Sequence, residues 1–299
     1  MKSGIESRNF SFSRRSNDVQ VIDEFTISIR GRKFTFEELV DPALYSAEQQ
    51  DQWAVQLQNA APFPFLAVNS WFNPDFLALI MEEFDLNATK DWREVKSDYV
   101  NFRRSVLGDY LGPATELYFT LINSSWFVLL LSKITSIPNL IVDHTRYGGG
   151  MHETVNGGYF SVHSDFNRHI QNGLANKMVF ITYLTPNWQP EWGGELELWD
   201  AQQKTCVNKI TPKFGQSLLM INGPKHFHGH PSIWNSPEGI PRRSIANYYY
   251  VNEYANFDRS EHYDSVYVLP KRADKIVAYV RPLIPPLLWH TIRKLAGRP

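Results

Sequence analysis

The chain has 299 residues, of which 43% are hydrophobic, 14% aromatic and 20% charged. A chain of this length buries roughly three quarters of its extended surface, enough for a core without staples, and the composition excludes an intrinsically disordered protein. The 30 basic and 31 acidic residues nearly cancel, which argues against phosphate-driven nucleic-acid binding, and the single Cys206 excludes an intrachain disulfide and a cysteine-based zinc site. One cysteine fits a reducing compartment. The first twenty residues lack an apolar signal core, and the longest apolar run, Trp126 to Leu131, is far too short to span a bilayer. The expectation is a cytoplasmic protein with no membrane span.

Residues 1–45 are polar and carry no usable motif. Ser46-Ala47-Glu48-Gln49 has capping-box spacing, so a helix is expected to start at Ser46. Asn73-Pro74 reads as an N-cap followed by proline at the first helical position, and Phe76, Leu79, Ile80 and Phe84 continue with helical period. Residues 113–135 read as helix in two pieces, broken near Asn123-Ser124-Ser125. From about Leu140 to Asn252 the pattern changes to short strands punctuated by Gly, Pro and Asn: Tyr159–Asp165, Val179–Leu184, Glu195–Trp199, Ser217–Ile221 and Ser244–Val251. The tail holds Pro282, Pro285 and Pro286 and a short basic helix around Trp289–Leu295. Strands at this spacing suggest a sandwich or jelly roll. We expect an α+β fold in one domain: a polar extension (1–45), mainly helical support (46–139), a strand-rich core (140–252) and a C-terminal extension (253–299).

Seven of the nine histidines lie between His144 and His230. Strand alternation puts Tyr159, Ser161, His163 and Asp165 on one side and Phe160, Val162, Ser164 and Phe166 on the other. An imidazole and a carboxylate so placed can take adjacent positions on one metal. A third ligand can come from His226, His228 or His230 in Lys225-His226-Phe227-His228-Gly229-His230-Pro231. Two histidines and one carboxylate with open positions form the facial triad of non-haem Fe(II) oxygenases. An isolated H-x-D is more often surface than ligand, and the His-x-His-x-His segment alone also suits a separate zinc or nickel site or a polar loop. The following strand adds weight. In Pro241-Arg242-Arg243-Ser244-Ile245-Ala246-Asn247-Tyr248, Arg242, Ser244, Ala246 and Tyr248 share one side. An arginine and a serine there can hold a carboxylate by a charge-assisted fork and a hydroxyl bond.

The order H-x-D, distal His, R-x-S resembles the Fe(II)/2-oxoglutarate-dependent oxygenases, specifically their prolyl-4-hydroxylase-like branch. The segments that carry the resemblance are Gly157–Phe166, Phe180–Thr185, Trp192-Gly193-Gly194-Glu195-Leu196 (a "GGEL" segment), Pro212-Lys213-Phe214-Gly215 and His228-Gly229-His230-Pro231. The helical lead-in, Pro62 through Phe84, resembles that of bacterial members, and the match spans roughly residues 60–252. The resemblance implies a double-stranded β-helix (cupin-like jelly roll) braced by N-terminal helices. It implies iron ligands His163, Asp165 and His228, with His228 favoured over His226 by its His-Gly-x-Pro context. Arg242 would anchor the distal carboxylate of 2-oxoglutarate, with Ser244 assisting and Arg243 as the competing anchor. Tyr147 would match a tyrosine that hydrogen-bonds the cosubstrate; for Tyr147 and Tyr183, ordinary packing is the alternative. The implied cofactors are Fe(II), 2-oxoglutarate and O2, with ascorbate as a further candidate. The implied activity is hydroxylation of an unactivated C–H with release of succinate and CO2, and the family's halogenating members have a small residue where Asp165 stands.

The expected partner is a small-molecule or peptidyl substrate; free amino acid, peptidyl proline and natural product all stay open, as does the oligomeric state. Segments 149–156 and 167–176 are expected as rim or lid loops, with Arg146, Arg168 and His169 as candidates for an anionic substrate group or as solvated charges. Two other readings are weighed: a metal-binding cupin-type isomerase or sugar binder, which needs no Arg242, and a non-catalytic module docking through Arg281, Arg293, Lys294 and Arg298.

Overall fold

The computed structural model describes residues 20–21, 26–86, 92–237, 239–253 and 265–267. The features below belong to the unit that runs to Val266. The basic helix expected around 289–295, the tail cations Arg281, Arg293, Lys294 and Arg298, and residues 1–19 lie outside the described residues.

The capping signals mark real helix starts. The Ser46 hydroxyl accepts the Gln49 N–H at 3.3 Å and opens α1 (Ala47–Asn59). Asn73 Oδ1 accepts the Asp75 N–H at 2.8 Å ahead of α2 (Pro74–Leu86). Helices α3 (Pro113–Ile122) and α4 (Ser125–Thr135) meet at 51° across Asn123 and Ser124, where the Ser124 hydroxyl caps α4 by accepting from Phe127. Among the described residues no single helix is long and apolar enough to cross a membrane.

The strands are β1 (Gln20–Val21), β2 (Thr26–Ile29), β3 (Arg32–Thr35), β4 (Phe65–Val68), β5 (Arg93–Lys96), β6 (Val100–Arg104), β7 (Ile141–Val142), β8 (Gly150–Thr154), β9 (Tyr159–Ser164), β10 (Ala175–Tyr183), β11 (Leu196–Trp199), β12 (Cys206–Ile210), β13 (Ser217–Ile221), β14 (Phe227–His230) and β15 (Arg242–Val251). Strands β1 to β3 form a small separate sheet. The main sheet is antiparallel, in the order β12-β11-β14-β9-β6-β8-β15-β10-β13-β4. This is the expected double-stranded β-helix. One layer is β12-β11-β14-β9, the other β8-β15-β10-β13-β4, and β6 hydrogen-bonds to both β8 and β9 and joins them.

The mainly helical segment 46–139 also supplies β4 and β6, which pair within the main sheet. One expectation needs correction. Segment 149–156 is not a lid loop, because Gly150–Thr154 is the strand between β6 and β15.

Both faces of the second layer are covered, so its strands read as nearly continuous apolar runs. Met178, Phe180, Leu219, Ile245 and Tyr249 pack outward on the helices, where Trp71 stacks on Phe180 at 5.2 Å between ring centroids. Val179, Tyr183, Leu218, Met220 and Ala246 face inward onto Leu196, Leu198 and Ile210 of the first layer. Polar ties fix the helices to the sheet: the Tyr118 and Thr182 hydroxyls meet at 2.8 Å, and the Tyr249 hydroxyl donates to the Ile122 carbonyl at 2.8 Å.

Candidate metal and dicarboxylate site

His163 and Asp165 sit at the end of β9, and His228 lies opposite His163 on the neighbouring β14. One ligand atom from each falls within 4.8 Å of the others. The His163 Nε2 is 3.4 Å from Asp165 Oδ1, and the His228 Nε2 is 3.7 Å from Asp165 Oδ2. The opposite ring nitrogens face backbone: His163 Nδ1 lies 2.9 Å from the Ser161 carbonyl and His228 Nδ1 3.2 Å from that of His226. Those carbonyls accept the Nδ1 protons and so turn both Nε2 lone pairs toward the carboxylate. Burial keeps His228 neutral down to about 4, the form a metal needs. Burial raises the Asp165 carboxyl, but His228, His163 and a Tyr248 hydrogen bond outweigh it and hold it below the usual range. Its Oδ2 is buried with no hydrogen-bond partner. A buried anionic oxygen flanked by two imidazole lone pairs is a cation site by the chemistry of its donors.

Of the other two histidines considered as the third ligand, His226 stacks on Phe63 at 4.7 Å with its Nδ1 on the Ile221 carbonyl, and His230 lies opposite Phe160. The pairing of β9 with β14 corrects the expected face assignment. Its register shifts between His228 and His230, so two residues of β9, Ser161 and Val162, oppose the single Gly229 of β14. This bulge reverses the alternation and brings Phe160, expected on the far side, to 4.4 Å from the His163 ring. Gly229 permits it, because a Cβ there would lie 2.7 Å from the Ser161 oxygen. Gly229→Ala should therefore push β14 off β9, costing about 1–3 kcal/mol of stability and at least tenfold in divalent-metal affinity. A titration showing wild-type affinity would mean that the contact is slack.

On β15, Arg242, Ser244 and Ala246 face the interior as expected, while Arg243 and Ile245 face the helices. Arg243 is fully engaged there: Nε bonds Glu153 at 2.8 Å, Nη2 reaches Asp85 at 2.5 Å, and the guanidinium lies over Phe84. Arg242 is only 6% exposed. Its Nε donates to the Gly194 carbonyl at 2.8 Å and its guanidinium sits 5.1 Å above the Tyr183 ring. Among the described residues no carboxylate pairs with it. A buried cation is costly without an anion, so this pocket suits a ligand carboxylate. Ser244 lies between Tyr183 on β10 and His152 on β8, and the Tyr183 hydroxyl is buried without a hydrogen-bond partner.

Tyr147 lies near the Asp165 end, its ring 5.2 Å from Phe166 and 4.8 Å from His169. The rim cations have partners within the chain. Arg146 binds Glu116 at 3.0 Å and the Asp109 carbonyl at 2.7 Å, Arg168 bonds the Gly173 carbonyl at 3.1 Å, and His169 is buried 3.4 Å from Asp143. The reading of these residues as solvated loop charges therefore fails for Arg146 and His169.

These parts have counterparts among known proteins. Residues 147–250 match the family model described as the 2OG-Fe(II) oxygenase superfamily, and that segment holds all three metal-ligand candidates and Arg242. Over this stretch, about a third of the chain, the sequence is similar to the 2OG-Fe(II) oxygenase superfamily. The superfamily implies Fe(II), 2-oxoglutarate and O2, and the donors described above fit the metal and the dicarboxylate. The fold is similar to that of a Pseudomonas putida prolyl-4-hydroxylase, with a TM-score of 0.51, 12% identity, and coverage of 67% of this chain and 100% of that one. It is similar to a Trichoplax adhaerens prolyl hydroxylase solved with a hypoxia inducible factor oxygen degradation domain peptide fragment (TM-score 0.51, 18% identity, 68% and 89% covered). A Phytophthora capsici prolyl 4-hydroxylase gives a TM-score of 0.51 at 14% identity, with 73% and 70% covered. No curated protein shows significant sequence similarity. The fold is thus similar to that of prolyl-4-hydroxylases.

Proposed function

We propose that the chain is a 2-oxoglutarate-dependent dioxygenase that hydroxylates an unactivated C–H of an amino-acid, peptidyl (prolyl-like) or natural-product substrate, releasing succinate and CO2. The observation that carries this reading is the pairing of two sites in one barrel: a His163–Asp165–His228 cluster with ligand atoms within 4.8 Å, and a buried Arg242 with no carboxylate partner among the described residues. Iron bound at the first, with 2-oxoglutarate and O2, supplies the oxidising power. The protein's part is geometric. His163, Asp165 and His228 would hold the iron through their clustered ligand atoms. Arg242 and Ser244 hold the far carboxylate of the cosubstrate, and Tyr183 offers its hydroxyl beside them. Tyr147 and Phe166 wall the Asp165 end, where a cosubstrate contact from Tyr147 belongs to this reading. Enclosure of these groups keeps water from the reacting centre. The fold likeness to a prolyl hydroxylase solved with a peptide supports a peptidyl substrate.

The test is an anaerobic titration with Fe(II) and then 2-oxoglutarate, followed by its weak visible charge-transfer band. Arg242→Ala should weaken 2-oxoglutarate by about 30-fold or more, the low end for losing one partner of a buried charge pair. Arg243→Ala should leave that affinity unchanged and instead lower stability, since it strips a partner from buried Glu153. Iron binding with no band on adding 2-oxoglutarate would reject the oxygenase reading. An affinity loss in Arg243→Ala alone would assign the anchor to the other arginine.

A further inference from the structure

His152 has no role so far, yet it occupies the wall of the dicarboxylate pocket. Its place follows from register. On β8 it lies opposite Ser244 of β15 and Arg104 of β6, so its side chain shares the inner face with them. Ser244 in turn lies opposite Tyr183. His152, Ser244 and Tyr183 thus form one row across three strands, two residues along β15 from Arg242. The neighbours on the same strand point the other way: Met151 packs in the helix-side core and Glu153 pairs with Arg103 and Arg243.

The ring has two unlike edges. One hydrogen-bonds the backbone carbonyls of Gly148 and Gly149, which fixes the proton on that nitrogen. The other edge, Nε2, is buried without a hydrogen-bond partner. The groups facing the ring are Phe102 and Arg104 from β6 and Ser244 and Arg242 from β15. Burial, then the two guanidinium cations, hold the imidazole neutral down to about 3. A neutral Nε2 is an acceptor only. It opposes a carboxylate oxygen, which is also an acceptor, unless a proton comes between them. An arriving dianion cancels the field of Arg104 and Arg242, which adds to burial in keeping the proton off.

We propose that His152 is a gripping residue of the dicarboxylate pocket and takes up one proton from solvent as 2-oxoglutarate binds. The proton is added at Nε2, which then donates to the bound anion; no bond breaks elsewhere. This rests on the oxygenase reading, since it needs 2-oxoglutarate in that pocket. By linkage the sign is fixed: the bound state holds more protons, so affinity falls as pH rises, by at most about tenfold per pH unit for a single proton.

The test is calorimetry of 2-oxoglutarate binding to the Mn(II)-loaded protein in buffers of low and high ionisation enthalpy, across pH 6 to 9. The wild type should show buffer-dependent heat and affinity that declines with pH. His152→Gln should bind at least tenfold more weakly at pH 6.5, with heat independent of buffer and affinity independent of pH. His230→Asn is the control, because His230 also lies in the field of Arg242 with a buried, unpartnered Nδ1; this variant should keep the proton uptake. Far-ultraviolet dichroism establishes that each variant is folded. Buffer-independent heat in the wild type, or uptake retained in His152→Gln and lost in His230→Asn, would overturn the assignment of His152. Absence of any 2-oxoglutarate binding to the wild type would instead overturn the oxygenase reading itself.

Discussion

Asp165→Ala is expected to abolish divalent-metal binding and with it all turnover of 2-oxoglutarate. Asp165 is the only anionic member of the cluster, and both imidazole Nε2 atoms point at its oxygens, at 3.4 and 3.7 Å. Changes behind a metal's direct ligands cost about 10–100-fold in affinity, so loss of the charged ligand itself should exceed that range. The check is a thermal melt with and without Mn(II): the wild type gains melting temperature with metal, and Asp165→Ala gains none. His226→Ala should behave as wild type, because its ring stacks on Phe63 away from the cluster. Undiminished metal affinity in Asp165→Ala would remove the centre on which the function rests.

A second large effect lies far from the chemistry. Helix α3 begins after Gly112, which has φ of +121° and offers no side-chain cap. Its first free N–H groups are satisfied by another helix instead. Glu83 of α2, buried at 1% exposure, accepts the Ala114 N–H at 2.8 Å, the Thr115 N–H at 2.7 Å and the Thr115 hydroxyl at 2.6 Å, with Arg30 at 3.3 Å. A Cβ on Gly112 would lie 2.4 Å from the Glu83 carboxyl carbon, so the glycine leaves room for this visitor. Burial raises the Glu83 carboxyl above its usual range despite these donors, so the charge is not itself the gain. What matters is what deletion leaves behind. Glu83→Ala orphans two backbone donors and a hydroxyl and takes one partner from Arg30, which keeps Glu82 and the Leu79 carbonyl; it should cost about 3–5 kcal/mol. Glu83→Gln keeps the shape and one acceptor and should cost about 1–3 kcal/mol. Urea midpoints would measure both. An alanine variant within 1 kcal/mol of wild type would mean that water caps α3 as well as Glu83 does.

The legible parts of this sequence are those where a local rule has no competitor. Ser46 and Asn73 cap helices because short polar side chains reach nearby N–H groups whatever lies further away. His163, Asp165 and Arg242 were readable because strand period and chemistry agreed. The illegible parts are those whose signal depends on partners distant in sequence. Strand β8 hides in Gly-Met-His-Glu-Thr because its outward Glu153 is neutralised by Arg103 and Arg243, so no apolar alternation shows. The turn between β2 and β3 uses Arg30 and Gly31, both at positive φ, in place of the usual Asn-Gly signal. Phe160 was assigned to the wrong face because a bulge is set by the partner strand, through Gly229, and not by β9 itself. Tyr183 reads equally as packing or as function in the sequence, because the Arg242 guanidinium over its ring comes from a strand far along the chain.

Two adjacent arginines on β15 look in opposite directions, one into the pocket and one onto α2. A slip of one position along the neighbouring strand would exchange them, leaving a guanidinium stranded among apolar helix residues and an isoleucine where the serine hydroxyl stands. Alignment of this strand pair is therefore a determinant of which side chain enters the pocket, not only of shape. It is locked beside the pair itself, where the Thr185 hydroxyl accepts the Arg243 N–H at 3.1 Å and the Leu184 N–H donates to the Arg243 carbonyl at 2.9 Å. Thr185 thereby guards the register that aims Arg242, and not Arg243, into the pocket, and redesign of these strands should leave it in place.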